Sequence, residues 1–149
     1  MLALTFADDE EAMEARLRAH SGPMDVRRAE APEWLVLPLN AYFQGDLDAL
    51  DILKVAPRGT EFQLKVWSEL RRLRPGTTAT YGEIAERIGR SGASRAVGQA
   101  NGANPVAIVI PCHRVIAANS GLGGYSSGLH RKRWLLTHEG VLPTGQQPV

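Results

Sequence analysis

Apolar positions recur at helical spacing in several stretches of this chain, and breaker residues separate them. Met13 and Leu17 stand four apart in a segment that Asp8 or Asp9 can cap and that runs to about His20, where Gly22-Pro23 stops it. Residues 2–6 alternate weakly and suit one strand, while residues 24–37 show no clear period. Pro38 suits the first turn of a helix holding Leu39, Tyr42 and Phe43, and Gly45 suits its end. Residues 46–58 read as a connector closed by Pro57-Arg58-Gly59. The boundary between two lobes is placed there, at 1–57 and 58–149.

The second lobe opens with a capping box, Thr60 as cap and Gln63 reaching back, followed by Phe62, Val66, Leu70 and Leu73 at helical spacing. Pro75-Gly76 ends that helix. Thr80-Tyr81-Gly82-Glu83 is a second box, with Ile84, Ala85 and Ile88 as a short apolar stripe. The loop Arg90-Ser91-Gly92 leads to a further helix over about 93–101, and the pair reads as a helix-turn-helix. Ser94, Ala96, Gly98, Ala100 and Gly102 make this second helix small-sided, with Arg95 standing out among them. Such a surface can approach a minor groove closely, with one long arginine to probe the base stack. It also suits plain tight helix packing. Ser126 or Ser127 can cap a last helix to about His138, ended by Gly140. That helix carries Arg131-Lys132-Arg133, either a phosphate-binding cluster or a wet face.

The run Ala107-Ile108-Val109-Ile110 is apolar without a break and reads as a short buried strand that Pro111 ends. Cys112, the only cysteine, follows at once, then His113 and Arg114. A thiol is a nucleophile only as thiolate, and a neighbouring His or Arg favours that form. A lone buried cysteine with no chemistry fits the same residues. Glu139 can complete a Cys–His–Glu chain of hydrogen bonds. The glycine-rich stretch 119–124 marks a flexible loop beside the thiol.

Composition narrows the class. The chain is 44% hydrophobic and 22% charged, has no run of membrane-spanning length, and does not begin like a signal peptide, so a cytoplasmic protein is expected. One cysteine excludes an internal disulfide and a multi-cysteine zinc site. The net charge of +1 divides into −6 over residues 1–56 and +7 over 57–149. A polyanion would meet the second part only. A solvated basic surface has the same charge.

Residues 59–140 resemble the O6-alkylguanine-DNA alkyltransferase family, the methylated-DNA–protein-cysteine methyltransferases. The resemblance rests on Pro111-Cys112-His113-Arg114-Val115, Tyr81-Gly82-Glu83-Ile84-Ala85, Arg95-Ala96-Val97-Gly98, Asn104-Pro105, Gly124-Tyr125-Ser126, and Trp134-Leu135-Leu136 with Glu139. Residues 40–45 are similar to the end of that family's N-terminal lobe. The strand or hairpin that members carry ahead of the segment matching 2–6 is absent.

The resemblance implies an α+β protein of two lobes, a reduced ribonuclease-H-like N-terminal lobe and a C-terminal winged-helix-like lobe. It implies direct reversal of O6-alkylguanine in DNA, with O4-alkylthymine as a further candidate substrate. Cys112 would accept the alkyl group once, His113 would deprotonate it through a water, and Glu139 would orient His113. Asn104 would hold the turn, and Tyr81 would crowd the target phosphate and protonate the leaving guanine. Arg95, on a helix with Ser94, Ala96 and Gly98 against the minor groove, would fill the gap left by a flipped base. Tyr125, Ser126 and Val115 would line the pocket, and Arg114 would be structural. No cofactor and no metal are implied, and the partner is double-stranded DNA bound by a monomer. On this view Glu139→Gln keeps the fold. A non-catalytic binder of alkylated DNA, of the alkyltransferase-like type, is the second reading, and Cys112 argues against it. A papain-like thiol hydrolase needs Cys and His far apart in sequence, and here they are adjacent.

Overall fold

The structure, a computed structural model, describes residues 1–6, 10–119 and 121–144. Its elements in order are α1 (Glu10–Ser21), α2 (Glu33–Phe43), α3 (Glu61–Leu70), β1 (Ala79–Thr80), α4 (Tyr81–Arg87), α5 (Ser94–Gly102), β2 (Val115–Ile116) and α6 (Leu129–His138), with 3-10 turns at Ala49–Ile52 and Cys112–Arg114. It is a mixed, helix-dominated fold with one small sheet, a parallel pair in the order β1-β2.

Both capping boxes form. Thr60 accepts from the Gln63 N–H while the Gln63 side chain accepts from the Thr60 N–H, and Thr80 and Glu83 repeat the arrangement. These boxes fix where α3 and α4 begin. Val66 and Leu70 of α3, Ile84 and Ala85 of α4, Val97 and Ala100 of α5 and Leu135 of α6 then share one core. The Trp67 indole N–H donates to the Ala100 carbonyl at 2.8 Å and locks α3 to α5. The ladder Ala79↔Val115 and Thr80↔Ile116 sets the start of α4 beside the turn that holds Cys112. Two residues of parallel pairing thereby place Tyr81 at the thiol.

Several expectations are corrected. The 107–110 run is buried but is no strand; it winds as turns, with Ile108 at φ 69°. A β-branched residue in the left-handed region costs roughly 1–3 kcal/mol and persists only where its surroundings over-determine it. Asn104 does this: its Oδ1 accepts from the Val106 N–H at 3.0 Å, and its Nδ2 donates to the Ile110 carbonyl at 2.8 Å. Burial alone shapes the apolar pattern, so a buried turn and a buried strand read alike.

Helix α2 begins at Glu33 rather than at Pro38, which lies inside it. The unbroken apolar residues 34–37 hid the period. Pro38 and Tyr42, four apart, form the buried side. The last helix is entered from Gly128 at φ 100°, and neither Ser126 nor Ser127 caps it. Residues 2–6 make a single bridge, Leu4↔Val106, in place of a strand. Among the described residues, 1–57 contain no named strand. The caps expected of Asp8 or Asp9 lie outside the described residues.

Candidate active site

The site is assembled from the ends of elements. The Cys112–Arg114 turn follows the strained loop, and Cys112 is 4% exposed. Its carbonyl accepts from Asn101 Nδ2 of α5 at 3.3 Å. Cys112 also shares a recess with Tyr81, Gly98, Asn101, Tyr125 and Ser126, about 620 Å³ counted to its open mouth along α5. Tyr81, Cys112, Tyr125 and Ser126, far apart in sequence, therefore meet at one cavity. Gly98 sits against the Tyr81 ring, and a Cβ at Gly123 would stand 2.8 Å from the Tyr81 hydroxyl. Gly123 has φ 69°, so both its backbone and its lack of a side chain are needed here.

Behind the thiol lies a buried ionic cluster. His113 is fully enclosed. The Glu139 carboxylate accepts from His113 Nε2 at 2.8 Å, from Arg114 Nε at 2.9 Å and Nη2 at 2.8 Å, and from the Tyr42 hydroxyl at 2.7 Å. Burial opposes ionisation of Glu139, but the hydrogen bonds and charges of His113 and Arg114 outweigh it and hold the carboxyl far below its usual range. An ionised carboxylate only accepts, so His113 Nε2 carries the proton and Nδ1 is the free base. Nδ1 is buried and has no protein partner among the described residues. Burial pushes the His113 pKa down, against the pull of Glu139, which keeps the ring neutral.

Burial also pushes the Cys112 thiol up; Asn104, the Lys132 ammonium and Tyr125 act against this without cancelling it. The resting thiol thus holds its proton at neutral pH. Burial raises Tyr81 as well, so its hydroxyl stays protonated. The Tyr125 hydroxyl is buried and makes no well-formed hydrogen bond; the Cys112 thiol is its electrostatic neighbour, and together with burial it raises the Tyr125 pKa.

Other residues fall elsewhere. Ser94, Arg95 and Ala96 lie on the exposed face of α5, outside the cavity, and Arg95 makes no hydrogen bond or ion pair among the described residues. Val115 is buried in β2, and its carbonyl accepts from Lys132 Nζ. Lys132 itself corrects the reading of 131–133 as a phosphate cluster or a wet face. It is fully buried, donates also to the Gly124 carbonyl at 3.1 Å, and burial pushes its pKa down to about 8. Lys132, Leu135, Leu136 and Glu139 follow helical spacing on one face, a signal present in the sequence. Tyr42 was also missed as a site residue, because nothing local links position 42 to 139. Arg114 is structural as expected, tying Glu139 to the Leu73 carbonyl.

These ionisations set an acid limit on stability. The unfolded chain would protonate His113 near 6.5 and Glu139 near 4.5, while the folded site resists both. The unfolded state then binds more protons, so stability is present above these values and lost as pH falls. Urea midpoints are expected to drop between pH 7 and 5 and more steeply below 4.5. A midpoint unchanged from pH 7 to 4 contradicts this.

The family model for the DNA-binding domain of 6-O-methylguanine DNA methyltransferase matches residues 61–141. The methylated-DNA–protein-cysteine methyltransferase of Salmonella typhimurium is 46% identical over 142 residues, 94% of this chain and 83% of the relative. The O6-methylguanine-DNA methyltransferase of Pyrococcus kodakaraensis superposes with a TM-score of 0.76 at 32% identity, over 90% of this chain and 78% of that one. OGT of Mycobacterium tuberculosis, solved in complex with DNA, gives 0.68 at 48% identity, over 75% and 70%. With a family match across more than half of its length and a relative aligned along nearly all of it, this chain belongs to the methylated-DNA–protein-cysteine methyltransferase family.

Proposed function

We propose that this protein repairs O6-alkylguanine in double-stranded DNA by moving the alkyl group to its own Cys112, once per molecule. The observation that carries the proposal is the single thiol at the floor of a cavity opening along α5, backed by a neutral histidine with a free ring nitrogen. The target carbon is stacked inside a duplex, so the nucleotide has to leave the stack to reach the thiol. The small outer face of α5 lies against the minor groove, and the unpartnered Arg95 takes the vacated place.

The chemistry is one displacement. Nδ1 of His113 receives the Cys112 proton through a solvent molecule, Glu139 stabilises the imidazolium, and Sγ attacks the alkyl carbon. The carbon–O6 bond breaks with its electron pair going to the guanine, which takes a proton from the Tyr81 hydroxyl. Lys132 sits close enough to Cys112 for its charge to favour the thiolate. Asn104 holds the turn, Tyr125 and Ser126 line the base pocket with Ser126 near O6, and the backbone at Val115 reads the guanine edge. Sulfur in a thioether has no ready leaving path, which limits each molecule to one reaction. In this reading residues 58–149 form the DNA-binding and transfer unit, and 1–57 form a smaller N-terminal lobe that contributes Tyr42.

Arg95→Ala is expected to slow repair in duplex DNA by at least tenfold while reaction with free O6-alkylguanine base changes little. Single-turnover rates on the two substrates measure this. Equal losses on both mean that Arg95 plays no part in extrusion. A Cys112-bearing protein that binds the duplex tightly but never transfers the group favours the non-catalytic reading.

A further inference from the structure

The Glu139 carboxylate behind His113 is held from both halves of the chain. Its Oε1 accepts from His113 Nε2 at 2.8 Å, from Arg114 Nη2 at 2.8 Å and from the Tyr42 hydroxyl at 2.7 Å. Its Oε2 accepts from Arg114 Nε at 2.9 Å. Three donors from three different residues therefore share one oxygen. Tyr42 is fully buried on α2, and its place is set from α6. His138 Nε2 donates to the Tyr42 carbonyl at 2.7 Å, and the two rings meet edge to face with centroids 5.1 Å apart. Phe43 packs on the Tyr42 ring at 5.3 Å and reaches Trp134 of α6 at 5.8 Å. The hydroxyl thus enters the ionic cluster from a fixed backbone.

We infer that Tyr42 is a positioning residue for the transfer, one that sets the basicity of His113 by competing for the Glu139 oxygen they share. The inference rests on the alkyl-transfer reading above, in which His113 takes the thiol proton. A carboxylate oxygen that already accepts from one donor is a poorer acceptor for the next. The hydroxyl brings its positive hydrogen to Oε1 and so weakens the negative potential that an imidazolium at position 113 would feel. A ring that is already protonated cannot receive the Cys112 proton, so this weakening keeps the base available. The charges of Arg114 and Lys132 and burial act on His113 in the same direction, and Glu139 acts in the opposite one. Tyr42 limits that opposing pull without removing it. Burial and the Glu139 charge beside it push the Tyr42 pKa well up, so the hydroxyl stays a donor through the neutral range. The N-terminal half of the chain thereby takes part in setting the base.

The test is Tyr42→Phe in the full chain, which removes the hydroxyl and keeps the buried ring. Histidine ¹⁵N spectra, assigned with His113→Asn, give the protonation midpoint of His113. Single-turnover rates on duplex O6-methylguanine are measured across the acid and neutral range. The midpoint is expected to rise by about one pH unit, the scale on which a charge-assisted hydrogen bond moves a neighbouring ionisation. The acid limb of the rate profile should rise with it, so the rate loss approaches about tenfold at the acid end and shrinks toward alkaline pH. A hydroxyl that serves packing alone would cost the same factor at every pH and leave the midpoint in place. Urea midpoints at each pH report that the variant is folded where its rate is read. A tyrosine fluorinated beside its hydroxyl, placed at position 42, is a stronger donor and should move midpoint and limb the other way; it decides the matter if Tyr42→Phe does not fold. A midpoint that stays or falls in Tyr42→Phe, a rate loss independent of pH, or a fluorinated protein whose midpoint does not fall overturns the inference. A wild-type protein that transfers no methyl group overturns the alkyl-transfer reading itself, a separate outcome.

Discussion

Exchange of His113 for asparagine is expected to lower the alkyl-transfer rate by about 10²–10⁴-fold, the usual worth of general base assistance. The thiol is buried and holds its proton, so something must take that proton when the substrate is in place. His113 is the neutral base whose Nδ1 lacks a partner, and its other nitrogen is already committed to Glu139. Asparagine has no nitrogen that can accept a proton, and its shorter side chain gives up the Nε2 bond to Glu139, whose carboxylate keeps Arg114 and Tyr42. Duplex affinity should be unchanged, since His113 is fully enclosed and offers DNA no surface. The apparent Cys112 pKa, read by a thiol-alkylating probe across pH, should rise, and the variant should recover rate as the solution approaches that pKa. Wild-type kinetics in His113→Asn would remove it from the mechanism.

Glu139→Gln is expected to destabilise the fold by about 3–5 kcal/mol, because removing one partner of a buried ion pair leaves the other charge uncompensated. This revises the expectation that the variant keeps its fold. That expectation took Glu139 only as the group that orients His113. The structure instead buries it between Arg114, His113 and Tyr42. Glutamine replaces one oxygen with an NH₂ group, which would face a guanidinium or hydroxyl donor that needs an acceptor. With total stabilities of about 5–15 kcal/mol, such a loss is a large share. Urea unfolding measures it. Arg114→Gln should cost much less in the Glu139→Gln background than in the wild type, because the charge that suffers is then already gone. Fully additive costs would show that the pair does not act as a unit. Any rate loss in Glu139→Gln has to be separated from unfolding, so His113→Asn is the cleaner probe of catalysis.

The parts legible in the sequence were those written in local chemistry. Both capping boxes, the glycine stops and the spacing of Val66, Leu70 and Leu73 depend on neighbours within a few residues, and α3 and α4 start where those residues place them. Cys112, His113 and Glu139 were recognisable as a set, and two of them are joined by a hydrogen bond. What was not legible depends on contacts across the chain. The turn around Ile108 is enforced by Asn104 and by burial, and neither changes the apolar pattern of the run. Tyr42 reaches Glu139 across 97 positions. Lys132 was obscured by its two arginine neighbours, although its spacing to Leu135 and Leu136 places it on the inner face. The N-terminal segment runs as a single bridged stretch because its partners are the backbone at 105–107, not a second strand of its own.

Intact-mass analysis after incubation with excess duplex containing O6-methylguanine tests the central claim most directly. The protein should gain the mass of one methylene and no more, the gain should map to the peptide holding Cys112, and repaired guanine should equal the protein in moles. Cys112→Ala should gain nothing and restore no guanine. Repair beyond one equivalent, a modification on any other residue, or guanine restored by Cys112→Ala would contradict self-alkylation at Cys112.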